Sequence, residues 1–238
     1  MLLAIDTCGV LGGVALAPIP DSLHPQPSES WFRELSGKTF SERLIAAIAE
    51  ILDEAGISPD QLTGIVVVHG PGSFTGIRIG VSAAKGLAEV LEIPLMAVSR
   101  LELLARKASG DGAIAVLDAG RGEFFVGVYR FQNASDWVQE GEALLTRDGL
   151  EGSAANSGLP VVVCEAQVFS ALPSQRPELV APPTAIDALA VGSERFRRAA
   201  FDDVATLDAN YLRRSETEML ARIAERAAIR AGEAVPPE

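Results

Sequence analysis

The string His69-Gly70-Pro71-Gly72-Ser73-Phe74-Thr75-Gly76-Ile77-Arg78 joins two segments of opposite character, and few folds accommodate that succession. Before it, Ile65-Val66-Val67-Val68 is a β-branched run of the kind that forms a buried strand. After it, residues 79–91 read as helix. A strand therefore feeds a glycine-rich turn, and the turn feeds a helix N-terminus. Free backbone N–H groups and the helix dipole make such a junction a natural anion site. Gly70, Gly72 and Gly76 let a second backbone or a phosphate approach closely. Ser73 and Thr75 are candidate caps, and Arg78 adds a fixed charge in the first helical turn. The string is not a Walker A loop, because no Gly-Lys-Ser/Thr follows, and it is not the G-x-G-x-x-G of a dinucleotide-binding unit. A tight structural turn without a ligand is the competing reading.

Around this junction the chain alternates strand and helix. Residues 2–6 form a strand ending in Asp6-Thr7, and residues 12–17 follow after a short turn, so a hairpin is expected. Residues 18–28 carry four prolines and read as loop, and residues 29–34 as a third strand. Ser41 is a candidate N-cap for a helix over 41–55 with Gly56 as its stop. Ser99 caps a further helix over 100–108, and Ser109-Gly110-Asp111-Gly112 is a clear break. The pattern then restarts, with strands over 113–118 and 124–131 joined by a tight Gly-Arg-Gly turn and a third buried strand over 161–164. Residues 173–183 read as proline-rich loop and 184–200 as helix. Ser215 and Glu218 form a capping box for a last helix to about Ile229. The expected division is an N-terminal lobe over 1–108 and a shorter C-terminal lobe over 109–238, whose last helix packs back on the first lobe.

Few of the usual catalytic signals are available. The 238 residues include two histidines and two cysteines, with none of the spacings of a metal site or a disulfide framework, so no metal and no cofactor are expected. Asp6, Asp118 and Glu123 are candidate carboxylates, but no set of base, nucleophile and orienting group can be assembled from spacing. Asp118 and Arg121 read as a structural turn. The net charge of −12 should repel nucleic acid. No apolar run reaches membrane-spanning length and no basic leader precedes the first strand, so a soluble cytoplasmic protein is expected.

Residues 69–87, with Ile93-Pro94-Leu95 and Val98-Ser99, closely resemble the bacterial TsaB (YeaZ) family, whose GPGSFTG(L/I/V)R(I/L)G signature runs into a helix. The resemblance extends to Leu3-Ala4-Ile5-Asp6-Thr7, Ser41-Glu42-Arg43-Leu44, the stretch 117–123 and Tyr211-Leu212-Arg213. Phe40 stands where the family usually has histidine. No motif is identifiable over about 132–200. The resemblance implies an α/β fold of the actin-like ATPase and sugar-kinase superfold, with two lobes and the second reduced. It also implies a non-catalytic partner of a TsaD-type transferase subunit in making threonylcarbamoyladenosine beside the anticodon of tRNAs that read codons starting with A. A TsaE-type ATPase joins that pair, and tRNA is touched only indirectly.

Two surfaces follow as expectations. Asp6, Thr7, Gly70, Gly72, Ser73, Thr75, Gly76 and Arg78 form a vestigial nucleotide or anion site. Leu44, Ile45, Ile48 and Ile51 on the first helix, with Ala83, Ala84 and Leu87 on the second, form the partner interface, because both helices carry more apolar surface than one small domain needs. The plainer account is a helix sandwiched inside one domain. The same surface could close a homodimer. A small ATPase or kinase of the same superfold, using Asp6-Thr7 and the glycine turn on phosphates, is the alternative function, and a scaffold outside tRNA modification is a further one.

Overall fold

The computed structural model describes residues 1–19, 30–133 and 136–212. Its strands and helices are β1 (Leu2–Asp6), β2 (Leu11–Ala17), β3 (Trp31–Ser36), α1 (Phe40–Glu54), β4 (Gly64–Val68), α2 (Phe74–Leu91), β5 (Leu95–Val98), α3 (Arg100–Ala105), β6 (Gly112–Gly120), β7 (Glu123–Asn133), β8 (Asp136–Leu145), α4 (Arg147–Ser157), β9 (Val161–Val163), α5 (Ala166–Ala171), β10 (Glu178–Leu179) and α6 (Ala185–Arg197). They fall into two compact units. Unit 1 comprises Met1–Leu103 with Pro183–Tyr211, and among the described residues unit 2 comprises 104–182 and Leu212.

Unit 1 is built on a sheet of order β3-β2-β1-β4-β5. β1, β2 and β3 run antiparallel, and β1, β4 and β5 run parallel. Every residue of β1, β4 and β5 is buried, which explains why these segments are continuously apolar rather than alternating. The register pairs Ala4 with Val66 and Ile5 with Val67, so these two pairs point to opposite faces. α6 lies on the first face, where a Cβ on Gly192 would collide with the Val66 side chain. α2 lies on the other, where a Cβ on Gly80 would meet Thr7 Oγ1 and then Ile5. Small residues at these two points are what let both helices seat on the sheet.

α1 starts one residue earlier than the sequence suggests. Thr39 is its N-cap position and Ser41 lies inside the helix, exposed. The cause is Phe40, which is buried at the first helical position; its ring would touch a Cβ placed on Gly12 of β2, at 2.8 Å. Apolar anchoring thus fixes the helix start in place of a side-chain cap. Leu44, Ala47, Ile48, Ile51 and Leu52 face the core, at helical spacing. Ile45 does not; it is 64% exposed. The outward side also carries Glu42, Arg43, Glu50, Asp53 and Glu54, so it is charged rather than small and neutral.

Unit 2 repeats the plan. Its sheet has the order β10-β9-β6-β7-β8, with β6, β7 and β8 antiparallel and β6, β9 and β10 parallel. Read from β8 inward, this is the strand succession of unit 1. The joining helices are shorter, and β9 passes through Cys164-Glu165 straight into the six residues of α5 without a glycine turn. Ile114, Val116, Val126, Val128 and Leu150 are among the residues of its own core. The molecule therefore has the two-lobed actin-like α/β fold, with a reduced second lobe. α6 belongs to unit 1 although it follows unit 2 in the chain. The capping box at Ser215 and the helix expected after it lie outside the described residues.

Candidate functional site

The end of β1 and the glycine turn are held together by backbone contacts. Ser73 N donates to Cys8 O at 2.8 Å, and a Cβ on Gly72 would collide with that same carbonyl. A Cβ on Gly76 would collide with Thr7 O. Gly70 has φ +116°, a conformation that side-chain-bearing residues rarely adopt. Gly72 and Gly76 are glycine because the chain just past β1 presses on the turn, and Gly70 because of its backbone conformation. Arg100 N donates to Gly70 O at 2.7 Å and fixes the other side of the turn to the start of α3.

Of the eight residues expected to bind an anion, the five that are not glycine separate into two groups. Asp6 and Thr7 point inward. Asp6 is 1% exposed and its Oδ1 accepts from Cys8 N at 2.9 Å. Thr7 Oγ1 donates to Gly76 O at 2.7 Å. Ser73, Thr75 and Arg78 face outward. Ser73 is the N-cap of α2, its Oγ accepting from Gly76 N at 3.3 Å, whereas Thr75 lies within the helix and does not cap it. Arg78 is occupied within the chain: its guanidinium lies 3.9 Å from the centre of the Phe74 ring, and its Nε donates to Tyr211 Oη at 2.8 Å. The Phe74 and Tyr211 ring centres are 5.3 Å apart.

Beneath the turn lies a buried polar cluster that includes Arg100, a residue the sequence reading did not single out. Burial pushes the Asp6 carboxyl up from its ordinary value, the Arg100 guanidinium pulls it back, and the Cys8 amide does the same. Burial also pushes the Cys8 thiol well up, with the Asp6 charge adding to it, so this thiol is a weak nucleophile. Cys8 Sγ donates to Val68 O at 3.1 Å. Arg100 is almost fully buried and its Nε lacks a hydrogen-bond partner among the described residues. The one signal for it in the sequence was its place directly after the β5 strand and Ser99. No group of three or more metal-ligating side chains occurs among the described residues.

The expected interface residues are also divided. Leu44, Ile48, Ile51 and Ala84 are buried in the core of unit 1, and the inward spokes of α1 and α2 are filled by their own sheet. Ala83 and Leu87 are half-buried, and Ile45 is exposed. Sequence reasoning omitted Val90, which is 80% exposed, while at Gly86 on the same helix an added Cβ would enter open space. A further flank of α2 is covered from within. Lys85 Nζ donates to the carbonyls of Ala205 and Leu207, and Val204, Leu207 and Ala209 pack against the core. α2 thus buries one stripe against its own sheet and is flanked along a second by residues 204–209, while its remaining positions are exposed or half-buried.

Comparison with known proteins places this arrangement. The family model described as TsaD, tRNA N6-adenosine threonylcarbamoyltransferase, matches residues 33–234. The tRNA threonylcarbamoyladenosine biosynthesis protein TsaB of Bacillus subtilis is 40% identical over 134 residues, 56% of this chain and 56% of that protein. Its Escherichia coli counterpart is 34% identical over 117 residues, 47% of this chain and 51% of that one. The matched stretch thus spans about half the length of these curated relatives. A crystal structure from Pseudomonas aeruginosa, described as similar to peptidase YEAZ, superposes with a TM-score of 0.73 at 28% identity, covering 89% of this chain and 99% of that one.

Proposed function

Because the chain belongs to the tRNA N6-adenosine threonylcarbamoyltransferase family, and within it to TsaB (YeaZ), we propose that it is the non-catalytic partner of a TsaD-type subunit in threonylcarbamoyladenosine synthesis on tRNA. The observation that carries this reading is the inward commitment of the polar groups at the end of β1. Thr7 is committed to bracing the glycine turn, Asp6 to the Cys8 amide, and the thiol beside them is held in its neutral form. A carboxylate and a hydroxyl used in this way are poorly placed to bind a phosphate or to act on a substrate. The same observation counts against the alternative of a small ATPase or kinase.

The partner meets unit 1 on the outward side of α1 and α2. Ile45 and Val90 are large apolar side chains left in water, and Gly86 lets a second helix come close. Half-buried Ala83 and Leu87 complete the face. In the absence of the partner a second copy occupies it, and a TsaE-type ATPase joins the assembled pair. With a net charge of −12 the chain reaches tRNA through its partner rather than directly. The pathway is cytoplasmic, and no helix among the described residues is long and apolar enough to cross a membrane.

The test is complementation of a bacterial strain depleted of its own TsaB, with the cognate TsaD-type subunit co-expressed, scored by mass spectrometry of tRNA nucleosides. The wild-type chain is expected to restore threonylcarbamoyladenosine. The variant Ile45→Arg, Gly86→Arg is expected to fold normally and to restore little. Restoration by both chains would keep the pathway and discard the face. Failure of the wild type beside its cognate partner would overturn the functional reading.

A further inference from the structure

Residues 199–211 form no helix or strand apart from an isolated bridge between Leu95 and Asp202, yet they are fixed to unit 1 at both ends and in the middle. At the near end, Asp202 N donates to Leu95 O at 2.9 Å, and Asp202 Oδ2 accepts from Ala97 N at 2.7 Å. These bonds occupy edge groups of β5. In the middle, Lys85 Nζ donates to Ala205 O at 3.2 Å and to Leu207 O at 2.8 Å. At the far end, Asn210 N donates to His69 O at 2.8 Å, and Tyr211 Oη accepts from Arg78 Nε at 2.8 Å.

The far-end contacts straddle the glycine turn. His69 immediately precedes Gly70, and Phe74 and Arg78 lie in the first turns of α2. A Cβ on Gly70 would meet Asn210 O at 3.2 Å, so the segment also lies against the turn itself. The turn has few means of holding its own shape: it is rich in glycine, and its one aromatic side chain, Phe74, is 54% exposed. From inside it is braced by Cys8 O, Arg100 N and Thr7 Oγ1. From outside its supports are the carbonyl-bound Asn210 and the stacked Tyr211.

We propose that residues 199–211 are a strap that sets the glycine turn from outside, anchored in the middle by Lys85 and latched at its end by Tyr211 on Arg78 and Phe74. A charged ammonium shared between two carbonyls of an otherwise irregular segment is a strong fixed point. The latch is the weak point, because it rests on one hydrogen bond and one exposed ring stack. Loosening the strap therefore releases the turn and the start of α2, while β1 and β4 stay closed.

Native-state amide hydrogen exchange on the full chain tests this, comparing wild type with Lys85→Met, Tyr211→Phe. These substitutions remove three hydrogen bonds and keep the apolar bulk of both side chains. The expected result is exchange faster by about tenfold or more at Asp202 and Asn210, and a rise of similar size at Ser73, Gly76 and Ile77, with Ile5 and Val67 unchanged. Faster exchange in the strap with an unchanged turn would overturn the proposal, as would no loosening of the strap at all. Should the double variant lose protection at Ile5 and Val67, the single Tyr211→Phe variant decides by the same two comparisons.

Discussion

Asp6 is a carboxylate almost without contact with water, and its charge is balanced by a buried guanidinium rather than by solvent. Desolvation is the larger effect, so its folded pKa stands above the unfolded one. The native state therefore holds a proton on Asp6 at pH values where the unfolded chain has lost it. The associated stability is fully present below the unfolded pKa, near about 3.9, and is lost as the pH rises through the raised folded value. Asp6→Asn keeps an acceptor for Cys8 N and removes the titration. Urea unfolding across a pH series is expected to show this component in the wild type and not in the variant. Equal pH profiles for the two chains would show that Asp6 does not titrate within that window. Asp6-Thr7 was legible in the sequence as a strand end facing a glycine turn. Its inward orientation was not, because the charge that faces it there, Arg100, lies far along the chain and carries no periodic signal.

At the scale of elements, α1 shows what a helical apolar pattern conveys and what it omits. Ile45 and Ile48 are alike in chemistry and three positions apart, but one is in water and the other in the core. Ile48→Ala is expected to cost about 2–5 kcal/mol in urea unfolding. Ile45→Ala is expected to change stability by no more than about 0.5 kcal/mol. Comparable losses at both positions would mean that the outward side of α1 is covered in the free protein. The spacing of apolar residues announced the helix, while the width of its buried stripe was set by how α2 and the sheet flank it. β8 and α4 were illegible for a different reason. β8 contains Gln139, Glu140, Gly141 and Glu142 and is a sheet-edge strand, so alternation is weak. α4 contains two glycines, two serines and an asparagine, poor helix formers all, and its helix is secured by the Thr146 cap and the buried Leu150 and Ala154.

At the scale of the molecule, one strand plan is used twice, and the restart after residue 112 was readable because the hydrophobic runs recur in the same succession. The return of residues 183–211 to unit 1 was not readable, since no local pattern reports which sheet a later helix covers. That return closes the face of the sheet carrying Ala4 and Val66. A chain ending at Pro182 should therefore leave this face open. Its β1 and β4 amides are expected to lose protection and the dye ANS to bind, as for a loosely packed core. Retained protection at Ile5 and Val67 would show α6 to be dispensable.

The seating of α6 against Val66 also carries a consequence for biosynthesis. A ribosome releases β1 well before α6, with residues 104–182 of unit 2 between them. β1 must wait, with one side uncovered, through the synthesis of the 79 residues over 104–182 that close on a sheet of their own. Unit 2 is contiguous over 104–182 and can complete itself in that interval. The N-terminal half of the chain is thus the last to finish folding, and the nascent protein is most exposed to aggregation just before its sixth helix emerges.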